Sequence, residues 1–480
     1  MTNASDLKAA IPPAGMVKKE RDVLGWALII GSSILLGIWA VRETIALRNA
    51  LLVLGTIASL IYCVRFFKNN PTKIPLQNKV PFILLGLMFC WVVIHYVFFS
   101  RFPEQQFHEL ISTWLRSFLA VIVALGTGLA LAKRPAAINC LWLGILASFG
   151  YLFYQYIPKA MAAHSLFAID YENYIYRLKI SGVLSGTIML IGLLGTLLDT
   201  LRRATLPEKA VVALLWLAGT AISLYASVFI FDARNGVGLA AMIFGIVGIP
   251  LLYKLLSALF TKAHKQGALA MLVVVVCAMM FLAWFGLEQN KHNPGWSSTW
   301  EDAKTAVQIH KYPNWQNPPA LGYPQNASGQ IVKGNTYERF AWATAGFTIF
   351  LPQNPLGVGI LRKSFATLLK DSYPNSADIS GTHSAWVDIA LAFGYPGLLL
   401  LIGSLLSTIS LSMGSTSPLR STAGLLSVGL ILIYMVGEVS SQHGIEILCF
   451  LISLNAALLL PSKPPITPTL AALPPSAGNR

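Results

Sequence analysis

The chain has 480 residues, of which 55% are hydrophobic and 11% charged, and its formal net charge is +15. Soluble globular proteins carry roughly 25% charged residues, so this composition excludes a soluble domain and points to a polytopic membrane protein. The positive charge does not argue for nucleic acid, because its distribution follows membrane orientation instead.

In chain order, residues 1–22 read as a cytoplasmic tail. Lys18-Lys19-Glu20-Arg21 precedes an apolar run with no small-residue cleavage site behind it, which reads as an uncleaved first span. Twelve apolar runs are expected to cross the membrane, centred near residues 33, 55, 90, 123, 148, 189, 220, 247, 276, 403, 428 and 452. Each has about 17–25 residues, enough for a hydrocarbon layer of about 30 Å. The expected fold class is therefore an all-α polytopic membrane protein of about 12 transmembrane helices. Residues 23–285 carry spans one to nine, residues 286–382 form a large extracytoplasmic loop region with short helices, and residues 383–461 carry the last three spans. The proline-rich stretch 462–480 reads as a disordered cytoplasmic tail.

Of the 35 lysines and arginines, nineteen fall in segments on the N-terminal side of the membrane, from Lys8 to Arg480. Eight fall in the short segments on the other side: Arg42, Arg48, Arg101, Arg116, Lys159, Arg177, Lys179 and Arg234. The remaining eight lie in the long polar segment, and long loops count little in the positive-inside rule. The asymmetry places both termini inside and residues 286–382 outside. The five cysteines, Cys63, Cys90, Cys140, Cys277 and Cys449, all lie in apolar runs and form no CxxC, which argues against a disulfide framework or a zinc site.

The polar segment is rich in aromatics: Trp296, Trp300, Tyr312, Trp315, Tyr323, Tyr337 and Trp342. Such residues suit a membrane interface and also stack on sugar rings; the interfacial reading is preferred here. Helices are expected over Glu301–His310 and Glu338–Phe350, followed by a turn over Gln353–Gly359 whose proline and two glycines demand a specific backbone shape. The length of the segment implies function.

At its end stands His383, where the water-facing segment meets the next apolar run. An imidazole there suits base chemistry near neutral pH on a lipid-linked substrate; the bland alternative is a capping or interfacial histidine. Arg177, Lys179, Arg234 and Arg339 share the outer side. Arginine forks bind phosphate oxygens, so the set suits an anionic head group, against head-group anchoring or pairing with Asp170, Glu172 and Asp232. Asp170-Tyr-Glu172 is a weak DxE metal motif, read here as balancing Arg177 and Lys179. Glu438 and Glu446 flank His443 at the turn between the last two spans, either buried and functional or solvated.

These residues fall into a known pattern. His383, Gly394, Gly397 and Leu398, the Arg339-led helix with Trp342 before Asn354-Pro-Leu-Gly-Val-Gly359, and the short turn Ala233-Arg-Asn-Gly236 together resemble the signature of the O-antigen ligase/polymerase superfamily, as do the twelve spans and the large loop before the last three. Ser384, Ala392 and the Ala-Arg-Asn turn depart from the family's usual residues. The resemblance implies a periplasm-facing glycosyltransferase of the bacterial inner membrane. Its donor would be O-antigen on undecaprenyl pyrophosphate and its acceptor lipid A–core, with membrane lipids around it and no nucleic-acid partner. It implies His383 as general base and Arg234, Arg339 and Arg177 on the pyrophosphate, with Lys179, Glu438 and His443 as secondary candidates. Neither a metal nor a cofactor is called for. An O-antigen polymerase and a protein O-oligosaccharyltransferase of the same superfamily are the near alternatives, and a lipid or anion transporter the distant one.

Overall fold

The computed structural model describes residues 22–69, 74–166, 174–176, 178–203, 205–260, 295–379, 381–437 and 442–460, with isolated positions between 269 and 287. Of the expected tails over residues 1–22 and 462–480, all but Asp22, the N-cap of α1, lie outside these residues. The described residues are helical and contain no strand. The membrane-type helices are α1 (Val23–Ile38), α2 (Ile45–Asn69), α3 (Leu76–Phe98), then a short α4 (Pro103–Glu109) that runs through a π turn into α5 (Leu115–Lys133). They continue with α6 (Asn139–Ala163), α7 (Lys179–Arg203), α8 (Leu206–Tyr225) and α9 (Arg234–Phe260). The polar segment contributes α10 (Gly295–Ala306), α11 (Gly334–Ala345) and α12 (Ser364–Ser372), and the chain closes with α13 (Ala385–Gly414), α14 (Arg420–Val436) and α15 (Gln442–Leu458).

Among the described residues, seven helices are long and apolar enough to cross a membrane, and four shorter ones, including α1 and α14, are apolar as well. Eleven of the twelve expected span centres fall on these helices. The ninth, near 276, lies largely outside the described residues; there the helical positions Leu269, Val273, Val276, Met280 and Leu287 are exposed at helix-face spacing. Burial sorts the helices by depth in the bundle. The most apolar stretch of α7 is 83% buried, against 33% for α2 and 28% for α3, so α7 is central and the other two are peripheral. Their outward residues are aliphatic, such as Leu54, Val64 and Leu87. An apolar surface of that extent needs lipid to cover it.

Helices approach closely at small residues, as expected where lipid supplies no hydrophobic drive between helices. A Cβ on Gly144 of α6 would stand 1.8 Å from the Ser33 carbonyl oxygen of α1, and one on Gly128 of α5 would stand 2.4 Å from Ala457 of α15. At one end of the bundle Asp22, Tyr62 and Arg134 meet, joining the start of α1 to the ends of α2 and α5. At the same end the Asp199 carboxylate accepts from the Ser421 and Thr422 amides at 2.9 Å and so caps α14. At the other end Trp39, Arg48, Arg116 and Glu446 meet, joining the end of α1 to the starts of α2, α5 and α15.

The polar segment is more than an extended loop. Ala306, Trp315, Tyr337, Trp342, Phe350 and Phe365 form a second hydrophobic core, which continues into Ala390 and Leu391 of α13. Two of the expected helices shift. The first ends at Ala306 because the chain turns before Pro313, and the second begins at Gly334, four residues early, and passes at Ala345 into a π turn over Gly346–Phe350. Three of the seven aromatics expected at a membrane interface, Trp315, Tyr337 and Trp342, are instead buried in this core. Trp300 fits the exposed reading, with the Lys304 ammonium 5.4 Å over its ring.

Candidate active site

His383 is held in a backbone conformation that side chains rarely adopt, at φ +60°. Such a residue costs about 1–3 kcal/mol and persists only where its surroundings over-determine it. They do so on both sides. Thr382 donates from its amide (3.0 Å) and its hydroxyl (2.8 Å) to Oδ1 of Asp388, a buried carboxylate in the first turn of α13. The Ser384 amide donates back to the Thr382 hydroxyl at 3.3 Å, and the Ala385 amide donates to the Gly437 carbonyl past the end of α14. The imidazole lies flat on the Trp342 indole, with ring centroids 5.3 Å apart and planes at 16°. Trp342 is itself fixed, its indole N–H donating to the Trp315 carbonyl at 2.8 Å. His383 thus presents a half-buried ring whose plane and backbone are both set by neighbours.

Arg339 stands one turn before Trp342 on α11, so its side chain leaves the helix from the face that carries the indole. It is half-buried. Its sequence neighbour Glu338 accepts from the Tyr323 hydroxyl at 2.7 Å. Burial and that carboxylate raise the phenol to about 12, so it remains a donor at any physiological pH.

The glycine eleven residues after His383 has a clear structural reason. Gly394 breaks α13 with φ 68° and ψ −170°, and Pro396 follows it. The break frees the carbonyls of Leu391, Ala392 and Phe393. They accept from the Val358 amide (3.0 Å), the Gly359 amide (2.8 Å) and the Trp91 indole (2.8 Å). The Asn354–Gly359 turn therefore docks into the notch of α13, and a Cβ on Gly394 would stand 2.2 Å from the Pro355 carbonyl oxygen. Gly394→Ala is expected to combine strain of about 1–3 kcal/mol with a backbone clash of similar size. The purified variant should show a clearly lowered unfolding temperature; a wild-type value would refute this role for the notch.

Arg234 opens α9 and is half-buried. A π turn over Ala226–Ile230 ends at Phe231, buried against Phe149 and Tyr176, and the Ala233 amide donates to the Ser227 carbonyl at 2.8 Å. Arg234 thus stands at the first position of a helix that packs against α7 and α14. Lys179 is the exposed first residue of α7. Arg177, Glu438, Asp170 and Glu172 lie outside the described residues. Among the described residues, no group of three or more His, Cys, Asp or Glu could hold a metal ion.

His443, a secondary candidate, sits in a polar cluster that the sequence only hints at. The Arg48 guanidinium donates to His443 Nδ1 at 2.6 Å and to the Trp39 carbonyl at 2.7 Å. Glu446 is buried, accepts from the Trp39 indole at 2.7 Å and pairs with Arg116 Nε at 3.2 Å. Asp388, Arg48 and Arg116 were not among the expected site residues. Their signal is that they are ionisable groups set inside or at the edge of apolar runs. The two regions share an end of the bundle. Trp386, three residues after His383, packs on Tyr434, whose hydroxyl donates to the Gly444 carbonyl next to His443.

A scan of protein-family models and a search of curated proteins find no match to this chain.

Proposed function

We propose that the protein is a membrane glycosyltransferase of the O-antigen ligase kind, moving a glycan from undecaprenyl pyrophosphate to lipid A–core at the outer face of the bacterial inner membrane. The observation that carries this reading is His383: a strained imidazole at the end of an apolar bundle, stacked on the Trp342 indole, which itself lies one helical turn from Arg339. Base, cation and membrane entry are the three elements that a lipid-linked sugar donor needs.

In this reading an acceptor sugar hydroxyl attacks the donor's anomeric carbon. His383 takes the hydroxyl proton, the bond from the anomeric carbon to the pyrophosphate oxygen breaks, and the pyrophosphate leaves with its added charge met by Arg339 and Arg234, and by Arg177. Attack from the face opposite the leaving group inverts the anomeric centre. General-base assistance supplies about 10²–10⁴-fold and positioning much of the rest. The chemistry uses arginines where other enzymes use a metal.

Twelve spans with both termini inside complete the proposal. The apolar helices and the lysine and arginine asymmetry support it, because the outer side then holds His383, Arg234 and Arg339 together. Lipid analysis of a deletion strain tests the activity. A ligase requires polymer to vanish from lipopolysaccharide while lipid-linked polymer accumulates. Lipopolysaccharide capped with single repeat units would indicate a polymerase, and unchanged lipopolysaccharide with a protein left unglycosylated would indicate a protein oligosaccharyltransferase.

A further inference from the structure

Arg48 is an arginine in the wrong place for a bystander. It lies in an apolar helix, 3% exposed, and cannot shed its charge. Its hydrogen-bond partners are neutral, the Trp39 carbonyl and the His443 ring, and the anionic charge acting on it is that of Glu446. Its Nε is buried with no hydrogen-bond partner, and it forms no ion pair, among the described residues. The nearby carboxylate, Glu446, is already engaged by the Trp39 indole and by Arg116. Among the described residues, two arginines therefore share one carboxylate inside the bundle end. A third guanidinium, Arg362, is close enough to act electrostatically on the same His443. Its loop is pinned there because the Glu109 carboxylate accepts from the Leu361 amide (2.7 Å) and the Arg362 amide (2.9 Å). That carboxylate keeps its charge and also acts electrostatically on Arg362, offsetting part of the positive charge there.

The histidine's orientation follows. An arginine only donates, so His443 Nδ1 is the acceptor and the ring proton sits on Nε2. The imidazole is held as a neutral donor between cations. A buried guanidinium that shares its carboxylate with a second arginine and leaves its Nε unpartnered is poorly compensated, so the arrangement suits an anion with several acceptor oxygens. The exposure gradient runs from buried Arg48 through half-buried His443 to exposed Arg362, which gives the anion a way in.

We infer that Arg48, Arg116, His443 and Arg362 form a binding site for the phosphate of a membrane amphiphile, separate from the Arg234 and Arg339 pair. No step of this inference uses the glycosyltransferase reading. The test is binding by the purified full-length protein in neutral detergent, read by thermal shift and native mass spectrometry. Dihexanoyl phosphatidic acid should bind and stabilise; uncharged dihexanoylglycerol should not. Arg362→Gln, at an exposed position that leaves the fold intact, should weaken phosphatidic acid binding about tenfold, as expected for one lost charge-assisted contact. His443→Gln should weaken it as well, and His383→Ala should leave it unchanged. Inorganic phosphate competing as well as the lipid would make the occupant a free phosphate; failure to compete would make it a lipid head group. Equal binding of the charged and uncharged lipids, or wild-type affinity in Arg362→Gln, overturns the site. A protein without transfer activity still passes or fails this test on its own.

Discussion

His383→Ala is expected to insert and accumulate like the wild type, to bind the lipid-linked donor, and to lose transfer by at least about 10²-fold. The separation of folding from activity follows from magnitudes. The ring contributes a stack on Trp342 worth about 0.5–1.5 kcal/mol. The backbone strain at this position stays with alanine, because the clamp from Thr382 to Asp388 and the bond from Ala385 to Gly437 impose it. The fold should therefore lose little while transfer, in the proposed mechanism, should lose its base. Added imidazole should restore part of the rate, since the vacated space against Trp342 fits the missing ring. Substantial transfer by His383→Ala at normal abundance would make His383 an interfacial cap and turn attention to His443.

Arg234 and Arg339 give the second large effect. A lysine carries the charge but not the planar fork, so Arg→Lys should be nearly as damaging as Arg→Ala at both positions. Loss of one preorganised charge-stabilising contact costs about 2–4 kcal/mol, which is tens- to about a thousand-fold in rate. The loss should appear mainly in kcat, because the contact matters most as the pyrophosphate departs. Single-turnover rates of the four variants in matched detergent check this. Full activity in both lysine variants would assign the arginines to lipid anchoring.

Much of the bundle was legible because its signal is local. An apolar run of the right length needs no partner to be recognised, and the centres near 33, 90, 189 and 403 all lie on helices. The motif around His383 was legible for a related reason: His383, Gly394 and the Asn354–Gly359 turn are close in sequence, and the turn's two glycines announce an unusual backbone. What the turn does was hidden, since its docking into the notch at Gly394 is a tertiary event. Several aromatic residues of the polar segment misled because composition does not separate a core tryptophan from an interfacial one. Trp315 and Trp342 found partners within the segment itself. The cluster around Arg48 was hardest to see. Arg116 and Glu446 are far apart in the chain, and each taken alone reads as a charge near the end of a span. Only the packing of α1, α2, α5 and α15 gathers them.

The account turns on what the protein transfers and to what. Purified full-length protein in liposomes, supplied with undecaprenyl-pyrophosphate-linked glycan and lipid A–core, tests it most directly. The account predicts glycan joined to lipid A–core with inverted anomeric configuration, released undecaprenyl pyrophosphate, and no product with His383→Ala. Absence of any joined product from active-state protein, or growth of the donor chain in place of transfer to lipid A–core, would contradict it.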